Sequence, residues 1–269
     1  MYAGTTLTKV SGKIIGAHQK IDRVARKHLE VLVPDIVFPS IKDILHFEGS
    51  NGPDSIKRKS PSKDEPWHFI QPHDKNDNQL INAIENHYNE LVKALREHNN
   101  ERSAFEAAWL AHAMVDGLTP AHHYPYDKEL SEIRNGEGNE SRSSIGKKII
   151  MPGENRSDQI KNNWKMWGPK GLFTTHASFE FGVATLIAPQ KFGEIFPTRE
   201  DIEKISKDGL GIWFRKVAKQ VTRLKIYDKF YESGWNMKLS HQIKEQLAPI
   251  IINAVTLVWL QAYKEAFKG

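Results

Sequence analysis

The chain has 269 residues, 39% hydrophobic and 26% charged, with a formal net charge of +5, the profile of an ordinary globular protein long enough to bury a substantial core. It contains no cysteine, which excludes disulfides, thiolate metal sites and cysteine nucleophiles. The mild positive charge suits an anionic substrate such as a phosphodiester but is spread too evenly to identify nucleic acid as a partner.

Residues 1–10 hold no apolar run of the kind a secretory signal needs. The first stripe at helical spacing joins Val10, Ile14, Ile15, His18, Ile21, Ala25, Leu29 and Leu32, and Pro34 stops it. The stretch 48–66 is rich in Gly, Pro, Ser and Lys and reads as irregular. Leu80, Ile84, Tyr88, Leu91 and Leu95 stripe a second helix, with Asp77 as its N-cap. A third, over about 103–118, puts Phe105, Trp109 and His112 on one face. Residues 125–163 read as a long irregular insertion. Further helices are expected near 171–187, 210–232 and 239–267, the last bent at Pro249.

No run alternates with period two for long enough to make a strand, so the fold class is all-α. One domain over 1–269 is preferred, because the candidate ligands fall on both sides of the insertion. The longest apolar stretch, 248–263, is interrupted by Asn253, Thr256 and Gln261, so no transmembrane helix is expected. The chain reads as cytoplasmic as it stands, or as secreted if it is a processed mature form.

The densest chemistry lies in residues 112–122, which read H-x3-D-x3-P-x-H. His112 and Asp116 are four apart and share one helix face, while Pro120 interrupts the ladder before His122. His176 and Glu180 repeat the four-residue spacing among Phe179 and Phe181. Buried polar side chains need partners, and a metal supplies one. His68, in Pro-Trp-His-Phe, and His18, on the first apolar stripe, are further candidates. Each has a plainer explanation: His18 as a satisfied core histidine, His176 with Glu180 as a helix-surface pair, His68 as a packed loop residue. His123, Asp127, His73 and Asp74 read as surface or supporting residues, and His73-Asp74 lacks the further ligands an HD phosphohydrolase would need.

These residues resemble the zinc-dependent phospholipase C and S1/P1 nuclease family. The likeness rests on H-x3-D-x3-P-x-H (His112, Asp116, His122), on a later H-x3-E (His176, Glu180), on an Asp about fourteen residues before a His-Phe pair (Asp54, His68-Phe69), and on an N-terminal helix carrying a histidine (His18). It implies a single multi-helix domain with two or three Zn(2+) ions in a cleft. One ion would be held by Asp54, His68, His112 and Asp116, and a second by His122, His176 and Glu180. Asp116 would bridge to a third, also bound by His18. Family members complete that third site with the amino group and carbonyl of an N-terminal tryptophan. This chain begins Met1-Tyr2, so its third site uses Met1, uses water, or is absent. Residues 122 and 176 are also further apart than in the family, and Asp43 is the alternative to Asp54.

The implied function is zinc-dependent phosphodiester hydrolysis, with Asp54 orienting or deprotonating the attacking water. Glu180 resembles the phospholipase branch, which favours cleavage of phospholipid head groups. The alternatives are a single-strand nuclease or 3′-nucleotidase, and an inactive zinc-binding helical protein. Trp164 and Trp167, interleaved with Lys161 and Lys165, fit peripheral contact with a lipid interface, stacking on bases, or cover of the core. The oligomeric state is left open.

Overall fold

The computed structural model describes residues 1–2, 15–48, 51–54, 68–137, 146 and 149–267. Among these the regular structure is helical throughout, with no strand. Helix α1 (Ala17–Leu32) ends just ahead of Pro34 and buries Ala17, His18, Ile21, Ala25 and Leu29, one face of its stripe. Val10 and Ile14 of the predicted stripe lie outside the described residues. Helix α2 (Ile41–Glu48), which the periodicity does not announce, buries Ile44 and Glu48.

Helices α3 (Gln79–Arg96) and α4 (Asn100–Gly117) pack as an antiparallel hairpin. The expected cap of α3 is corrected: Asn78 holds that position, while the Asp77 carboxylate accepts from the Gln71 amide at 2.7 Å. Asn99 caps α4 by accepting from the Arg102 amide. Beyond α4, Pro120–His123 forms one 3-10 turn.

The irregular reading of 125–163 is also corrected. Helix α5 (Tyr126–Ile133) and α6 (Arg156–Trp167) occupy both ends of it, and residues 138–145 and 147–148 between them fall outside the described residues. Asn155 caps α6 through the Asp158 amide. A small apolar cluster of Leu130, Ile133, Met151 and Met166 joins the two helices.

Helix α7 (Leu172–Ile187) follows, then α8 (Arg199–Asp208), which opens on a capping box between Thr198 and Asp201. The single helix expected over 210–232 is two, α9 (Leu210–Arg223) and α10 (Ile226–Ser233). Lys225 between them takes the left-handed conformation at φ 51°, which ends the right-handed ladder.

The last helical stretch begins at α11 (Met237–Gln242), widens to a π turn over Ile243–Leu247, and continues as α12 (Ala248–Phe267). The wide turn sits immediately before Pro249, whose missing N–H removes the regular bond to residue 245. The combined Met237–Phe267 stretch is long and apolar enough to cross a membrane, yet 67% of its most apolar window is buried within the protein. It packs on α1, α3 and α4, and the Trp259 indole donates to the Ala107 carbonyl at 3.1 Å.

Gly117 closes α4 directly after Asp116. A Cβ there would lie 2.5 Å from Phe214 Cζ and 2.6 Å from Leu80 Cδ2, and both side chains are fully buried. G117A should therefore cost about 1–3 kcal/mol through overpacking. An unchanged urea midpoint would show that the core yields freely at this point.

Candidate metal centre

Asp116 stands at the centre of the site, and its two oxygens face different groups. Oδ1 lies 2.5 Å from the Met1 amino group, 3.2 Å from His18 Nε2 and 3.6 Å from His122 Nδ1. Oδ2 faces His68 Nδ1 and lies 3.2 Å from His112 Nε2. Asp116 and His112 are buried one turn apart on α4, as their spacing predicts. Burial would raise the Asp116 carboxyl, but the Met1 amino group and His122, His112 and His68 hold it well below the usual range. In turn, Asp116 and Glu180, 3.3 Å away, outweigh burial at the Met1 amino group and lift it to about 10. The Met1 carbonyl accepts from His18 Nε2 at 2.8 Å.

The 3-10 turn delivers His122. Its amide donates to the Thr119 carbonyl at 2.9 Å, and the Thr119 amide donates to the Asp116 carbonyl at 2.9 Å. The segment 68–70 runs alongside: His122 Nδ1 donates to the His68 carbonyl at 2.9 Å, and the Ile70 amide donates to the His122 carbonyl at 3.1 Å. These bonds fix His68 on one side of Asp116 and His122 on the other.

Among the described residues, three groups hold donor atoms within 4.8 Å of one another: Asp54, His68 and His112; His122, His176 and Glu180; and His18, Glu48 and His112. All eight residues expected from the sequence lie at this centre. Asp43, the alternative to Asp54, does not; it is half-buried on α2 and accepts from Ser40 Oγ at 2.7 Å. His73 is exposed and contacts Thr222 Oγ1, and Asp74 accepts from the Asn76 amide, so neither faces the centre.

The hydrogen-bond chemistry fits a cation. A carbonyl only accepts, so His122 carries its proton on Nδ1 when neutral. Its Nε2 then presents a lone pair 2.8 Å from Glu180 Oε1, itself an acceptor, and His176 Nε2 lies 3.2 Å from the same oxygen. Burial pushes His122 down to about 4 despite the nearby carboxylates. At neutral pH the cation that reconciles these lone pairs is therefore not a proton on His122. His112 presents the same pattern on the other side: Nδ1 donates to Glu48 Oε1 at 3.0 Å, and Nε2 has no hydrogen-bond partner among the described residues. Nε2 points between Asp116 and Asp54, whose Oδ1 is 3.8 Å away. Burial disfavours a charged His112, but Glu48 and Asp116 raise it well above the usual histidine range, so without metal a proton takes the cation's place.

Glu48 is the residue sequence reasoning missed. It is fully buried, with Oε1 3.0 Å from His112 Nδ1 and 3.5 Å from His18 Nδ1. The two imidazoles stack over it with centroids 4.1 Å apart. Asp22, one turn after His18 on the buried face of α1, is a second missed carboxylate; burial, and then the charge of Glu48, push it well up. The available signal was the four-residue spacing, Glu48 four after Ile44 and Asp22 four after His18 on the first apolar stripe.

Beside the centre, Tyr124, Tyr227, Tyr231, Glu129, Glu132 and Lys170 help line a cavity of about 230 Å³. Thr175, also on its wall, immediately precedes His176 on α7.

His123, next to the cluster, donates from Nε2 to the Gly117 carbonyl at 2.8 Å, and burial pushes it down to about 4. Unfolded, it takes a proton near 6.5. The unfolded state thus binds the extra proton between those values, and stability is lost as pH falls from about 6.5 toward 4. H123Q keeps a donor and removes the titration. Thermal denaturation in chelator should show a shallower acid decline for the variant, and parallel curves would sink the assignment.

Comparison of the chain with family models, with curated proteins and with solved structures finds no match, so the reading of this centre rests on its own residues and their geometry.

Proposed function

We propose that the protein is a zinc-dependent phosphodiester hydrolase of the phospholipase C type. The observation that carries this reading is the position of Asp116, whose two oxygens serve two donor groups while His122, His176 and Glu180 form a third alongside. The donors are imidazoles and carboxylates without thiolate, a set that zinc accepts in catalytic sites. The all-helical architecture supports the same reading.

Asp54, His68, His112 and Asp116 would hold one ion; His122, His176 and Glu180 a second; and His18 with Asp116 and the Met1 amino and carbonyl groups a third. Bound zinc supplies Lewis-acid stabilisation of an anionic phosphate and acidifies water. Asp116 fixes the separation of the sites. The Asp54 side chain is 29% exposed, against 3% for Asp116 and 16% for Glu180. It is therefore the carboxylate placed to meet an incoming water and accept its proton. Its pKa supports this role: burial opposes ionisation, but His112 and His68 keep it below the usual range, ionised and able to accept.

The adjoining cavity favours a phospholipid over a nucleic acid. Its lining of Tyr124, Tyr227 and Tyr231 with Glu129 and Glu132 on one hand and Lys165 and Lys170 on the other suits a head group that carries both charges, as phosphocholine does. The test is a zinc-loaded activity panel with phosphatidylcholine, single-stranded DNA, RNA and a 3′-mononucleotide. Release of phosphorylated head group from phosphatidylcholine is the expected result. Cleavage confined to the nucleic acids would replace this reading with the nuclease one, and no turnover with zinc bound would leave a metal-binding protein.

A further inference from the structure

The outer face of α6 carries apolar side chains that the core does not use. Ile160 is 72% exposed and Trp164 68% exposed, one turn apart. Trp167 continues the row, packs on the exposed Phe173 with ring centroids 5.0 Å apart, and donates from its indole to the Ile149 carbonyl at 2.7 Å. Ile149 and Ile150 are themselves more than half exposed. At about 100° per residue, Trp167, Ile160 and Trp164 fall within an arc of roughly 60°. Lys161 and Lys165 border that arc on one side and Arg156 on the other, all exposed. The acid of this helix, Asp158, is engaged at the N-terminus by the Asn155 side chain at 2.9 Å.

We infer that this face of α6, with Ile149, Ile150 and Phe173, docks the protein on an anionic phospholipid surface. An apolar row flanked by basic side chains is the pattern of a helix lying in a membrane interface, with the rings and aliphatic groups among the acyl chains and the cations at the head groups. Charge complementarity selects anionic lipid. The isoleucines select lipid over nucleic acid, because an aliphatic side chain offers no face for a base to stack on. Helix α6 packs directly on α7, the helix of His176 and Glu180, and Lys165 also lines the cavity beside them. Docking there holds the candidate centre next to the bilayer. This deepens the proposed hydrolase reading, on which it rests for the identity of the substrate but not for the docking itself.

The test is cosedimentation of the zinc-loaded protein, in the cold, with vesicles of phosphatidylcholine alone or with phosphatidylserine added, for wild type, I160E/W164E and R156E/K161E. Turnover of a soluble phosphodiester serves as control. Each basic side chain is worth about fivefold in affinity at an anionic surface. Wild type should bind the mixed vesicles at least tenfold more tightly than the neutral ones, with binding weakened by salt. Both variants should lose at least tenfold while keeping wild-type turnover of the soluble ester. Equal binding to the two vesicle types, or variants that bind as wild type does, overturns the inference. So does a solution dimer that I160E/W164E dissolves, or single-stranded oligonucleotide binding lost in that variant while vesicle binding is absent. If vesicles bind but no phosphodiester is cleaved, the hydrolase reading fails and the docking face stands.

Discussion

Replacing Asp116 with asparagine should remove the ions on both sides of it and lower phosphodiesterase activity by about three orders of magnitude. The size follows from what the residue does. Its oxygens meet His68 and His112 on one side and His18 and the Met1 amino group on the other, so no other carboxylate can take over both contacts. Metal stabilisation of a phosphoryl transition state is worth several kcal/mol, and each 1.4 kcal/mol is tenfold in rate. The substitution also acts without metal. It leaves a buried amino group and buried histidines facing a neutral amide, and breaking a buried ion pair from one side costs about 3–5 kcal/mol. Metal content by elemental analysis and melting temperature in chelator separate the two effects. D116N with the wild-type metal content would refute the shared role, whatever its activity.

The part of this architecture that can be read from the sequence is the part written in local spacing. His112 with Asp116 and His176 with Glu180 are one turn apart, so a helical reading alone puts each pair on a common face, and α4 and α7 do so. Pro120 forces a break, and a 3-10 turn follows it. The remaining errors lie where tertiary contacts decide. Asp77 has the chemistry of a cap, but the Gln71 amide competes for its carboxylate. The break at Lys225 depends on a left-handed residue that is not glycine, which no propensity announces. Glu48 is easily passed over for a related reason. An acid at the end of a short amphipathic helix reads as solvated until α4 supplies His112 as its partner. Proximity of the clusters to each other is likewise a property of packing, since the bonds that join the His68 and His122 segments, one from the His122 ring and one between backbones, link residues 52 or more apart in sequence.

Glu48 should prove to be a positioning residue for two ions at once. Its Oε1 accepts from His112 Nδ1, which turns His112 Nε2 toward Asp116 and Asp54. The same oxygen lies 3.5 Å from His18 Nδ1, so an imidazole proton moved from Nε2 to Nδ1 would let His18 aim Nε2 at a cation by the same device. Carboxylates behind ligating histidines are worth about 10–100-fold in metal affinity. E48Q keeps the shape and loses the charge, so zinc should bind at both sites about 10–100-fold more weakly. A tenfold change in affinity is about 1.4 kcal/mol, so zinc should stabilise the variant by roughly 1.4–2.7 kcal/mol less per ion than it stabilises wild type. The metal-free proteins should behave differently. Among the described residues Asp22, beside Glu48, has no hydrogen-bond partner for either oxygen, and removing the neighbouring charge relieves it. That relief offsets only part of the loss of Glu48 as the partner of the charged, buried His112, so E48Q in chelator should melt below wild type but closer to it than D116N does, and E48D, which restores the charge, should recover part of the zinc response. A purely structural role predicts an unstable metal-free variant with an undiminished gain from zinc. Loss of a single ion with the others unaffected would make Glu48 a direct ligand rather than a support for His18 and His112.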